Sequence, residues 1–156
     1  MAEDSVTPVL TLMRTGPDAN NDECGYLKVM WTGDVFSTRE NDKTLKHSSL
    51  RVGSYKMIHD TKRTGRKVQC LRPVEAAIQN ILIHDAYDDN PDELEGCIAP
   101  GLIGGEANWQ NSAEAMEKMW TALGGFEKGK EVYLVVLTNA SGVGWLEGRT
   151  GWRGLK

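Results

Sequence analysis

The chain has 156 residues, of which 40% are hydrophobic and 26% charged, a balance that lets one domain bury a core without disulfides or metal. A formal net charge of -4 disfavours general nucleic-acid binding. No apolar run reaches the roughly 18 residues that span a bilayer, and Met1-Ala2-Glu3-Asp4-Ser5 is acidic, without the apolar stretch of a secretory signal. The expectation is a protein made in the cytoplasm, with no membrane partner. Cys24, Cys70 and Cys97 are odd in number and include no C-x-x-C pair, so neither a disulfide framework nor a structural zinc site is expected.

In chain order, Val9-Leu10-Thr11-Leu12-Met13-Arg14 predicts a first strand, and the run from Gly16 to Asp22 a loop. Tyr26 to Trp31 predicts a second strand, turned at Thr32-Gly33 into a third near Val35-Phe36-Ser37-Thr38. The polar residues from Asn41 to Ser49 predict a loop, and His47 within it carries no signal. Val52 to Ile58 predicts a strand entered through Gly53. The basic stretch holding Lys62, Arg63, Arg66, Lys67 and Arg72 reads as a solvated hairpin. Ile78 to His84 contains Ile-Leu-Ile and predicts a buried strand, followed by an acidic loop from Asp85 to Glu95.

Asn111 stands where a helix cap would, with Glu114 three residues on. Met116, Met119, Trp120 and Leu123 repeat at helical spacing, and Gly124-Gly125 closes the helix. Their stripe predicts core packing. Glu131 to Leu137 is apolar on both faces, as in a central strand. Together these elements predict a mainly β, α+β domain over residues 1–138: a twisted sheet or barrel with one packed helix. Residues 139–156 differ. Gly142, Gly144, Gly148, Gly151 and Gly154 leave little core-forming material, while Trp145, Trp152, Arg149 and Arg153 are suited to docking on a neighbour.

The order Gly53-Ser54-Tyr55, Ile81-Leu82-Ile83-His84, Asp92-Glu93-Leu94-Glu95-Gly96-Cys97-Ile98 and Asn111-Ser112 resembles a small domain family of unknown function found in phages, prophages and some bacteria. The resemblance covers roughly residues 8–138. That family is distantly similar to the L,D-transpeptidases of bacterial cell walls. Cys97 then matches their nucleophile, Gly96 the glycine before it, and His84 the upstream histidine. Glu95 stands where those enzymes have a histidine, Leu94 where they have a serine, and Ala99 where an arginine usually follows. The resemblance implies an L,D-transpeptidase-like fold and acyl transfer or cleavage on a peptidoglycan stem peptide. It also implies a phage setting, in a virion or injection device or delivered to the cell envelope.

In this scheme Cys97 attacks, His84 takes its proton, Glu95 orients the imidazole, and backbone N–H groups beside Gly96 and Cys97 form an oxyanion hole. His59 and Tyr55 are candidates to line the same cleft. The surrounding carboxylates, Asp85, Asp88, Asp89, Asp92, Glu93 and Glu95, oppose a thiolate at Cys97. The alternative is a non-catalytic virion or assembly protein that keeps the fold, holds Cys97 as a packing residue and meets other virion proteins through residues 139–156. Asp85-Ala86-Tyr87-Asp88-Asp89-Asn90 lacks EF-hand spacing, and no phosphate-binding or zinc-protease motif is present. Neither metal nor cofactor is expected.

Overall fold

The structure, a computed structural model, describes residues 6–18, 22–41, 50–63, 67–86, 89–90, 97–104 and 108–138. Glu95, Gly96, His47, Trp145, Arg149, Trp152 and Arg153 lie outside the described residues.

Two-residue alternation builds the sheet. In β1 (Val9–Pro17) Leu10 and Leu12 turn inward, both fully buried. β2 (Glu23–Val29) returns antiparallel, with Leu12 opposite Leu27. Gly33, at φ 81°, allows the tight turn into β3 (Val35–Glu40). β1 runs further than the sequence predicts, through Gly16 to Pro17, because a bulge between Arg14 and Gly16 absorbs the irregularity at φ 114°.

β4 (Gly53–Arg63) and β5 (Lys67–Pro73) form the basic hairpin, tied by Arg72 Nε to Asp60 Oδ2 at 2.6 Å. β6 (Ile98–Gly101) pairs with β3, and β7 (Glu131–Thr138) lies between β4 and β1, parallel to the latter. The order is β5-β4-β7-β1-β2-β3-β6, a mainly β sheet curled into a half-barrel.

Ile78 to His84 is not the predicted strand. A 3-10 turn occupies Ala76–Ile78, and Ile83 alone makes β-bridges. Those bridges join both edges: Ile83 pairs antiparallel with Leu71 of β5 and parallel with Ile98 of β6. The interior holds Leu10, Leu12, Leu27, Met57, Leu71, Ile83, Ile98 and Leu134 in one apolar cluster.

α1 (Ser112–Ala122) turns Ala115, Met116, Met119 and Trp120 into that cluster. It packs at the pole where β1 and β7 begin and the β2–β3 turn lies. Gly124 and Gly125, at φ 93° and 102°, end it, with Gly125 N–H donating to Trp120 O. The helix is not capped by Asn111, whose side chain makes no cap bond and whose φ is 51°. The carboxylate of Asp89 caps it instead, accepting from Asn111 N at 3.0 Å and Ser112 N at 2.8 Å.

Asp89→Ala is therefore expected to lower the unfolding free energy by about 1 kcal/mol. Urea denaturation followed by circular dichroism checks this, with no change in the strand signal before the transition.

Candidate functional site

Cys97 and His84 flank the bridge that joins the sheet edges. The parallel pairing of Ile83 with Ile98 sets Leu82 beside Cys97 and His84 beside Ala99. Alternation turns Ile83 and Ile98 inward, and Leu82, His84, Cys97 and Ala99 outward. His84 and Cys97 therefore share the outer face, two positions apart on neighbouring segments. The antiparallel pairing of Leu71 with Ile83 sets Cys70 across from His84 on that face.

The outer face is covered here. Cys97 is 6% exposed and packs with Val68, Cys70, Leu82, Ala86, Ala99 and Trp109. Its Sγ donates to Asn80 O at 3.4 Å and accepts from Leu82 N at 3.3 Å. The Trp109 indole lies against Gly101, where an added Cβ would stand 2.5 Å from the ring, and donates from Nε1 to Ala99 O. Burial, then the nearby charge of Asp60, pushes the Cys70 thiol up to about 12. His84 is 2% exposed, with Nδ1 2.6 Å from the carbonyl of Asp85.

Tyr55 and His59 belong to the interior, on the other side of the wall. Tyr55 packs against the interior cluster and donates from its hydroxyl to Arg51 O at 2.6 Å. His59 is fully buried, with ring centroids 4.8 Å from Trp120 and 5.6 Å from Phe126. Its Nδ1 accepts from Glu127 N at 3.1 Å, which makes it a neutral imidazole with its proton on Nε2. Nε2 is buried and has no hydrogen-bond partner among the described residues. Burial, and secondarily Lys130, pulls its pKa down to about 4. The structure thus brings His84 and Cys97 to one face and puts Tyr55 and His59 on the opposite one.

A further polar constellation went unread in the sequence. At the pole opposite α1, Arg14 reaches across β2 to Glu40 of β3, donating from Nε to Oε2 at 2.9 Å and from Nη2 to Oε1 at 2.7 Å. Glu40 is fully buried and Arg14 8% exposed. The strand between them carries Gly25, opposite both Arg14 and Thr38. A Cβ there would stand 2.6 Å from Met13 O, so only glycine fits between the strands at that point.

Burial works against the charge on Arg14, but the hydrogen bond and charge of Glu40, with Glu23, more than offset it and raise its pKa. The pair was legible: Arg14 continues the inward series Leu10, Leu12, and Glu40 the inward series Phe36, Thr38. A charge at a core-facing position is the signal of a buried partner. Ile98 pairs with Glu40, so the backbone at Cys97 leaves the sheet at this same pole. Among the described residues, no three His, Cys, Asp or Glu side chains group as metal ligands, and no helix is long and apolar enough to cross a membrane.

Glu40→Ala leaves a buried guanidinium without its partner and is expected to cost about 3–5 kcal/mol, whereas Arg14→Met with Glu40→Leu recovers most of that loss. Chemical denaturation of the single and double variants measures both. His59 supplies a pH prediction. Its folded-state pKa of about 4 lies below the ordinary 6.5, so the unfolded chain takes the proton first. This contribution is intact above about pH 6.5, is lost as the pH falls from there to about 4, by about 3 kcal/mol in all, and levels off below. Urea midpoints at pH 7 and pH 4, compared between the wild-type chain and His59→Gln, isolate the contribution.

No family model matches the chain, and neither a curated protein nor a solved structure does.

Proposed function

We propose that this domain is a non-catalytic binding module that acts in assembly, in the phage virion setting that the resemblance implies. The observation that carries this reading is the state of the Cys97 thiol. It donates to one backbone carbonyl, accepts from one backbone N–H, and is 6% exposed within an apolar cluster. A nucleophile has to meet its substrate at about 3 Å in a cleft. Cys97 instead pins the 80–82 segment to the start of β6. Its role is then to hold the seam of the barrel, and binding falls to the exposed surface and to residues 139–156.

A second reading is favoured by one observation, that His84 and Cys97 share the outer face on adjacent segments. There the domain acts as a cysteine enzyme on peptidoglycan stem peptides. Cys97 attacks, His84 serves as base, and Glu95 and Gly96 supply orientation and backbone approach.

Alkylation of the native protein separates the two. Cys24 is half-buried while Cys70 and Cys97 are buried. The binding reading therefore expects iodoacetamide at neutral pH to label Cys24 first and Cys97 only on unfolding, with His84→Ala without effect. Labelling of Cys97 ahead of Cys24, slowed by His84→Ala, would establish the enzyme reading instead.

A further inference from the structure

The two poles of the barrel differ in chemistry. At the α1 pole an open groove of about 1000 Å³ runs between the outer side of α1 and the β2–β3 turn. Its apolar floor comes from Val35, Phe36 and Leu102, and its walls carry the carboxylates of Asp34, Glu114 and Glu117. Among the described residues of the lining, Lys118 carries the one ammonium, and it lies 3.9 Å from Glu114, paired with it. Trp31, next to Thr32 of the lining, is 49% exposed, and Ile103, next to Leu102, is 50% exposed. An apolar floor with an excess of carboxylates suits a ligand that has large apolar side chains spaced among cations.

Residues 139–156 of this chain have that chemistry. They hold Trp145 and Trp152, together with Arg149, Arg153 and Lys156 against the single carboxylate of Glu147. Their point of departure is fixed. β7 runs parallel to β1, and Thr138 pairs with Arg14, at the pole opposite the groove. The groove lies at the pole where β1 and β7 begin. The end of β7, from which residues 139–156 depart, and the groove thus lie at opposite ends of one axis, which suits a heterologous, head-to-tail contact between copies.

We infer that the groove binds residues 139–156 of a second copy of this chain, so that copies join head to tail. The inference rests on the binding reading above and names its partner. Trp145 or Trp152 would cover the apolar floor, and Arg149 and Arg153 would meet Asp34, Glu114 and Glu117.

Sedimentation velocity of the full chain over a concentration series up to about 100 µM, at low and at raised salt, tests it. Concentration-dependent association is expected, weakened by salt. Asp34→Lys with Glu117→Lys should weaken it about tenfold or more, as should Arg149→Glu with Arg153→Glu, and all four substitutions in one chain should restore it. All the substituted groove residues are exposed, and circular dichroism of each variant shows that the fold is kept. Association that is indifferent to both charge reversals overturns the inference. So does a monomer at every concentration, including one whose own residues 139–156 are protected from protease only while the groove is intact. Either outcome leaves Cys97 labelling unchanged, so failure here is distinguishable from failure of the binding reading.

Discussion

The double bridge at Ile83 is the constraint on which the rest of the structure depends. A curled seven-stranded sheet leaves two edges, and unpaired edge groups invite pairing with other chains. Here the N–H and C=O of Ile83 are exchanged with those of Leu71, while Ile98 N–H donates to Leu82 O and His84 N–H to Ile98 O. One segment thus bridges both edges, at Leu71 of β5 and Ile98 of β6. Its alternation then assigns every neighbour a side: Ile83 completes the interior, and Leu82 and His84 face out beside Cys97 and Cys70.

Closure creates an interior that must be filled, and the two ends are filled differently. At one pole the apolar face of α1 supplies Met116, Met119 and Trp120. At the other the inward positions of β1 and β3 are charged, and Arg14 and Glu40 neutralise each other across Gly25. A buried pair of this kind adds little net stability over apolar residues of the same shape. It does tie β1 to β3 across an intervening strand, and so constrains the register of both. Gly25 lets the three strands approach beneath the pair, since a Cβ there would meet Met13 O at 2.6 Å.

These placements bear on function through what they leave accessible. Cys97, His84, Tyr55 and His59 are all engaged in packing or hydrogen bonds within the wall or the interior of the barrel. Asp89, one of the carboxylates of the acidic stretch after His84, serves the N-terminus of α1. Exposed apolar and charged side chains gather instead around α1 and the β2–β3 turn, where surface for a partner is on offer.

Much of this was legible in the chain alone. Period-two alternation in Val9 to Arg14 and the helical spacing of Met116, Met119, Trp120 and Leu123 reflect local geometry that any tertiary setting must respect, and they foretold a mainly β fold with one packed helix. The two residues placed at the centre of the chemistry, His84 and Cys97, do come to one face. What the sequence could not decide was which side of the wall each polar residue takes and what meets it there. Tyr55 and His59 turn inward, away from Cys97, because their strand alternates around Met57. Ile78 to His84 looks like a strand by composition yet pairs at one residue, since its partners are two edges brought together only by curling. Asp89 displaces Asn111 as the helix cap, and Arg14 finds Glu40 across 26 positions. Each depends on groups distant in sequence, which only the assembled tertiary structure brings together.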